Sequence, residues 1–236
     1  MKLSVLVPVY NEERTLEEVV RRVCAFSMAK EIILVDDGSK DCSRDILTRL
    51  EQENQATGDS LNQIRVFFQP CNQGKGAALK TALSHVTGDI VLIQDADLEY
   101  DPGDYPTLLA PIEKGLADVV YGSRFAGGGA HRVLFFWHSM GNRVLTLLSN
   151  MLSNLNLSDM EVGYKVFRAD VLRGIELKSQ RFGFEPEITI KLAKKGCRFY
   201  EVPISYHGRT YEEGKKITWK DGVAALYYMI RFRLVD

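Results

Sequence analysis

Ile90-Val91-Leu92-Ile93-Gln94-Asp95-Ala96-Asp97-Leu98-Glu99 reads as a short apolar strand that delivers three carboxylates just beyond its carboxyl end. Asp95 and Asp97 flank one small residue, so in an extended segment both side chains project the same way. Hard divalent cations take oxygen ligands, and Mg2+ or Mn2+ is commonly held by one or two carboxylates plus substrate phosphates. A lone Asp-x-Asp is more often a solvated loop, because loops attract aspartate. What stands on either side of it decides between the two readings.

Apolar runs of strand length recur at Leu3 to Val9, Glu31 to Val35, Ile64 to Phe68 and Asp118 to Tyr121. Helical patterns separate them. Thr15-Leu16-Glu17-Glu18 predicts a capping box, followed by Leu16, Val19, Val20 and Val23 at the spacing of a buried helix face. Ile46, Leu47 and Leu50 mark a second helix, the alanine-rich stretch Gly76 to Leu83 a third, and Tyr105, Leu108, Leu109 and Ile112 a fourth. Strands that read as continuous apolar runs, alternating with helices, predict an α/β fold: a mostly parallel central sheet with helices on both faces. Such open sheets bind ligands outside the carboxyl ends of their strands. Polar residues occupy those ends here, in Pro8-Val9-Tyr10-Asn11-Glu12, Asp36-Asp37-Gly38-Ser39, Asp95-Ala96-Asp97 and Gly122-Ser123-Arg124. Four strand ends are therefore expected to converge on one cleft.

Beyond Arg124 a glycine-rich turn, Phe125 to Ala130, leads into an amphipathic stretch from His131 to Leu157. A strand pattern at Tyr164 to Arg168, a helix from Glu185 to Lys195, a strand at Arg198 to Tyr206, a basic loop from His207 to Thr218 and a helix from Trp219 follow. The 236 residues fit one domain, with a division near residue 124. A formal net charge of -1 argues against a polyanion-binding surface, so nucleic acid is not an expected partner. Cys24, Cys42, Cys71 and Cys197 are widely spaced and signal neither zinc nor a disulfide framework, which makes a reducing cytosol the default. The amino terminus runs straight into a strand pattern, and no window reaches the roughly 18 apolar residues of a membrane span.

Val7-Pro8-Val9-Tyr10-Asn11-Glu12, Val35-Asp36-Asp37-Gly38-Ser39, Asn72-Gln73-Gly74-Lys75-Gly76 and Asp95-Ala96-Asp97 follow one another in an order that resembles family 2 of the inverting glycosyltransferases. Within that family the chain is similar to the dolichol-phosphate mannose synthase and polyprenyl-phosphate glucosyltransferase group. Tyr121 to Phe125, Asp159-Met160-Glu161, Gly183-Phe184-Glu185 and Arg209-Thr210-Tyr211 look like that group's later motifs. The resemblance implies a nucleotide-sugar-binding fold of the GT-A type, with residues 1–124 on the donor side and 125–236 on the acceptor side. It implies a nucleoside diphosphate sugar donor, UDP-glucose or GDP-mannose, and polyprenyl phosphate as acceptor, the alternatives being a soluble or cell-wall glycan acceptor or a non-catalytic nucleotide-sugar-binding protein.

In that role Pro8 and Tyr10 offer an apolar edge to the nucleobase, while Glu12 and Asp37 can accept hydrogen bonds from its N–H groups. Asp36 is expected to shape the turn. Gly74, Lys75 and Gly76 open a helix whose free N–H groups favour anions, or else permit close helix packing. The resemblance sets Asp95, with Ala96, against the ribose or sugar and makes Asp97 the metal ligand, with Glu99 able to complete the coordination. It sets Arg209 in a phosphate-binding loop with Tyr211, Lys215 and Lys216, and Arg124 is a second candidate. Asp159 resembles a carboxylate near the acceptor, as base or as positioning residue. Trp137, Met140, Val144, Leu147, Leu148, Met151 and Leu155 form an apolar stripe widened by Leu134, Phe135 and Phe136, with Arg132 and Arg143 as partners for a lipid phosphate. The last helix mixes Trp219, Val223, Leu226, Tyr227, Ile230 and Leu234 with Lys220, Arg231 and Arg233. Amphipathic basic helices rest on membrane surfaces, so a peripheral contact at the cytoplasmic face is expected.

Overall fold

A computed structural model describes residues 1–127, 133, 135–181, 183–208 and 219–235. The apolar runs become β1 (Leu3–Val9), β2 (Lys30–Asp36), β3 (Asn62–Phe68), β4 (Ile90–Ile93) and β5 (Val119–Ser123), joined by β6 (Lys165–Arg168) and β7 (Phe199–Pro203). β1, β2, β4 and β5 are almost wholly buried, so their backbone groups must be satisfied by one another. They pair in one seven-stranded sheet of order β3-β2-β1-β4-β6-β5-β7. All pairings are parallel except those of β6, which runs antiparallel between β4 and β5. The expected mostly parallel sheet is present, and β6 supplies its one reversal.

Helices α1 (Leu16–Ala25), α2 (Ser43–Thr57), α3 (Lys75–Leu83) and α4 (Tyr105–Glu113) connect the first five strands. α1 buries Leu16, Val19, Val20 and Val23, the face its spacing predicts. Its capping box does not form. The Thr15 hydroxyl donates instead to the Ala96 carbonyl at 2.7 Å, tying the start of α1 to the loop after β4. The second half adds α5 (Phe136–Ser153), the short α6 (Ala169–Leu172), α7 (Phe184–Lys194) and α8 (Trp219–Leu234), and α5 packs against α7 and α8.

α5 departs from the usual arrangement of an amphipathic helix. Thr146, Ser149 and Ser153 are its buried residues, while Trp137, Met140, Val144, Leu147 and Met151 are exposed. Trp137 keeps 78% and Met151 72% of their surface in water, whereas Leu148 and Leu155 of the same stripe, with Leu145 and Leu152, pack against the core. On the neighbouring α8, Ala225, Met229 and Phe232 are buried while Leu226, Tyr227, Ile230 and Leu234 are exposed. Among the described residues no helix is long and apolar enough to cross a membrane.

Candidate active site

The site begins where β4 stops. Its pairing with β1 ends at Ile93 opposite Leu6, whereas β1 runs on beside β2 to Val9. Gln94 still donates its N–H to the Leu6 carbonyl, and the chain then turns away. The buried Gln94 side chain anchors that turn: its Oε1 accepts from the Tyr105 and Tyr164 hydroxyls at 2.9 and 2.7 Å, and its Nε2 donates to the Asp95 carbonyl. Leu98 sits at φ 61°, a left-handed conformation uncommon outside glycine, and Asp97 Oδ1 accepts from the Glu99 N–H. The extended geometry expected for Asp95 to Asp97 is thus replaced by a tight turn. Both carboxylates nevertheless line one cleft.

That cleft has a volume of about 410 Å3, within the range of small-molecule sites. Pro8 near the end of β1, Tyr10 and Glu12 after it, Asp37 after β2, Asp95 to Asp97 and Glu99 after β4, and Arg124 after β5 all border it, so the four strand ends converge as expected. Lys75 from the start of α3 joins them. Asp36 accepts from the Gly38 and Ser39 N–H groups and shapes the turn. Asp37 does more than face a ligand, because its two oxygens accept from the Gln73 and Gly74 N–H groups at 2.7 and 2.8 Å. Burial pushes its carboxyl above the usual range. Gly74 and Gly76 serve close packing: a Cβ at either would meet the Gln180 or Ser179 carbonyl at 2.5 and 2.7 Å, and the Gln180 carbonyl takes the Ala77 N–H.

The cleft wall carries a charge network that sequence motifs do not reveal. Lys75 Nζ sits 2.8 Å from Asp95 Oδ1 and 3.2 Å from Glu185 Oε1, and although burial opposes its charge, the two carboxylates hold its pKa above the ordinary lysine value. Arg124 is gripped by Asp159, with Nε to Oδ2 at 2.6 Å and Nη2 to Oδ1 at 2.7 Å, and Asn142 also donates to Oδ1. Asp159 is completely buried, does not line the cleft, and spends both oxygens on these donors. The Arg124 guanidinium lies 5.1 Å from the centre of the Tyr206 ring, and the Tyr206 hydroxyl donates to Glu99 at 2.9 Å. Burial, followed by the neighbouring Glu185, pushes the Glu161 carboxyl up to about 8.

Arg143 is exposed on α5 and does not border the cleft. Arg132, Leu134, Arg209, Tyr211, Lys215, Lys216 and the side chains of Trp219, Lys220 and Val223 lie outside the described residues. Tyr100, Arg181 and Tyr206 also border the cleft though no sequence motif marks them, as do Glu161 and Glu185, which the sequence shows only as parts of motifs. Hydroxyl-bearing and charged residues so far apart carry no local spacing signal that would collect them.

Residues 4–175 match the family model described as Glycosyl transferase family 2. This chain belongs to that family. Its fold is the GT-A type, as the family 2 resemblance implied. Over 218 residues it is 29% identical to the undecaprenyl-phosphate 4-deoxy-4-formamido-L-arabinose transferase of Salmonella choleraesuis, covering 91% of this chain and 62% of that protein. Among solved structures it is similar to glucosyl-3-phosphoglycerate synthase from Mycobacterium tuberculosis in complex with Mn2+, UDP and phosphoglyceric acid. There the TM-score is 0.72 at 20% identity, over 100% of this chain and 79% of that one. A complex of the same synthase with Mg2+ and UDP gives a TM-score of 0.68 at 21% identity, over 99% and 78%. This family 2 chain spans about 62% of the length of the curated relative.

A divalent cation suits the donor set. Seven carboxyl groups border the cleft against Lys75, Arg124 and Arg181 among the described residues, and even with Glu161 protonated their negative charge would repel a diphosphate arriving alone. No three Asp, Glu, His or Cys side chains among the described residues form a complete metal cage. Mg2+ sites that share substrate phosphates need only one or two carboxylates, which Asp97 and Glu99 can provide.

Proposed function

We propose that this family 2 enzyme moves a hexose from UDP-glucose or GDP-mannose to polyprenyl phosphate at the cytoplasmic face of a membrane, with Mg2+ or Mn2+ held by Asp97 and Glu99. The observation that carries the acceptor is the exposure of Phe136, Trp137, Met140, Val144, Leu147 and Met151 along one side of α5, while Leu145, Leu148 and Leu152 pack on the core. An exposed apolar side of this extent marks a contact with something outside the chain. The name of the Salmonella relative, an undecaprenyl-phosphate transferase, supports the same acceptor class.

Along the sheet order, the base end of the donor lies near β2 and β1, against Pro8, Tyr10, Glu12 and Asp37. The sugar end lies towards β4 and β6, beside Asp95 and Ala96, with Lys75 steadying Asp95. When bound, the cation supplies Lewis-acid neutralisation of the departing diphosphate. Arg124, fixed by Asp159 and the face of Tyr206, offers its guanidinium to phosphate oxygens. An oxygen of the acceptor phosphate forms the new bond to the anomeric carbon in line with the breaking bond to the nucleoside diphosphate. That oxygen is already anionic, so no proton has to be removed and Asp159 serves as a positioning residue. Arg132 and Arg143 remain proposed contacts of the lipid phosphate, and Arg209, Tyr211 and Lys215 proposed contacts of the donor diphosphate.

The test is a screen of nucleotide sugars against polyprenyl phosphate in detergent with Mg2+ or Mn2+, read by product mass. A glycosylated lipid phosphate is expected, and Asp97→Asn should lower its formation at least 100-fold while the thermal midpoint stays within a few degrees. Efficient glycosylation of a soluble sugar, with polyprenyl phosphate ignored, would replace the lipid acceptor by a glycan. Near-normal turnover by the Asp97 variant with Mn2+ would remove the metal assignment.

A further inference from the structure

Two buried carboxylate oxygens at the β6 end of the cleft lack a partner. Glu185 Oε1 faces Lys75, yet Glu185 Oε2 has no hydrogen-bond partner among the described residues, and the side chain is only 6% exposed. Glu161 Oε1 is likewise buried and unpartnered. Both residues border the cleft, one in the segment leading into β6 and the other in the first turn of α7. Buried polar atoms are nearly always satisfied, so a pair of such orphans facing one cavity marks the place of a ligand's own hydrogen-bonding groups.

Their position selects the part of the ligand. The base end is assigned to β1 and β2 and the diphosphate to Asp97 and Glu99, which leaves the transferred sugar for the cleft floor at β4, β6 and α7. Gly163 keeps this corner open, since a Cβ there would stand 2.2 Å from Asp95 Oδ2. We propose that Glu185 Oε2 and Glu161 Oε1 bind hydroxyl groups of the donor sugar and determine which sugar is transferred. This rests on the nucleotide-sugar reading above and adds to it the residues that read the sugar. Hydroxyls fit better than an ammonium group because each hydroxyl both donates and accepts. Glu185, paired with Lys75, offers an acceptor, and Glu161, protonated at neutral pH through its burial beside Glu185, offers a donor as well.

The test compares binding of UDP with UDP-glucose, and of GDP with GDP-mannose, by calorimetry in Mn2+ for the full chain and for Glu185→Gln, Glu161→Gln and Glu161→Leu. Glu185→Gln and Glu161→Leu should each weaken the sugar nucleotide about tenfold or more, the scale of a hydrogen bond to a charged or buried group, and shift the bare nucleotide less than about threefold. Glu161→Gln keeps a donor and an acceptor and should retain most of the affinity. Deoxy analogues of UDP-glucose lacking the hydroxyl that is read should bind wild type and variant alike. Equal losses for bare and sugar nucleotides, no loss at all, or a wild type that binds the two equally would overturn the assignment. A wild type that takes up neither nucleotide would instead bring down the nucleotide-sugar reading itself.

Discussion

Asp159 shows how a residue's type can be legible while its task is not. Its motif announces a carboxylate near the acceptor, but both oxygens are committed to Arg124 and Asn142 in a fully buried setting. Removing one member of a buried ion pair typically costs about 3–5 kcal/mol, because the other charge is left uncompensated. Asp159→Asn should therefore lower stability by roughly that amount and transfer with it, and adding Arg124→Gln should restore at least half of the stability but none of the transfer; denaturant unfolding and turnover check both. Transfer lost at unchanged stability would make Asp159 a chemical participant. Glu161 sets a pH dependence of its own. Its carboxyl, ordinarily near 4.5, is pushed up to about 8, with Glu185, Asp159, Lys165 and Arg124 as its charged neighbours. Between those values the folded protein keeps a proton that the unfolded chain has released, so stability falls as pH rises through the window. The thermal midpoint should drop by roughly 3 °C or more from pH 5 to 7.5, and Glu161→Gln should flatten that slope. Lys165, pushed down to about 8 by burial, works in the opposite sense above this window, where the unfolded chain holds the extra proton.

Elements were legible wherever periodicity is local. The buried face of α1 and the strands β1, β2 and β4 follow from spacing alone, since a covered parallel strand must be apolar throughout. The capping box at Thr15 failed because a competing acceptor, the Ala96 carbonyl, lies within reach only after α1 and β4 have packed. β6 was legible as a strand but not in its direction, which depends on where the chain re-enters the sheet. Its entry segment presses on the acidic turn after β4. Gly163 donates its N–H to the Tyr100 hydroxyl at 2.9 Å, and a Cβ there would also crowd the Tyr100 ring at 2.8 Å. Gly163→Ala should displace Asp95, cut transfer at least tenfold and cost about 1–3 kcal/mol of stability, the usual range for overpacking. Full activity of this variant would show that the corner yields without consequence.

For the whole molecule, the packed helices α5 and α8 both expose large apolar side chains, and both carry exposed cations, Arg143 on α5 and Arg231 and Arg233 on α8. The protein should bind vesicles containing anionic lipid, and less so as salt rises, since screening acts over about 8 Å at physiological ionic strength. Replacing Phe135 and Trp137, 58% and 78% exposed, with serine should weaken that binding about tenfold or more and lower lipid glycosylation in parallel, as a cosedimentation assay would show. An unchanged affinity would separate this face from the membrane. The sequence by itself determined the alternation of strands and helices and the strand ends that carry acids, because hydrophobic period and strand-end polarity are local properties. Its motif order also determined the family. Only the tertiary structure decided that Lys75 is shared by Asp95 and Glu185, that Asp159 holds Arg124, and that Tyr206 meets Glu99. Each joins segments tens of residues apart, which no local pattern encodes. It also decided that most of the stripe of α5 faces water while Leu148 and Leu155 pack on the core, since periodicity shows that a helix has two faces, and the neighbours it packs against settle which residues are covered.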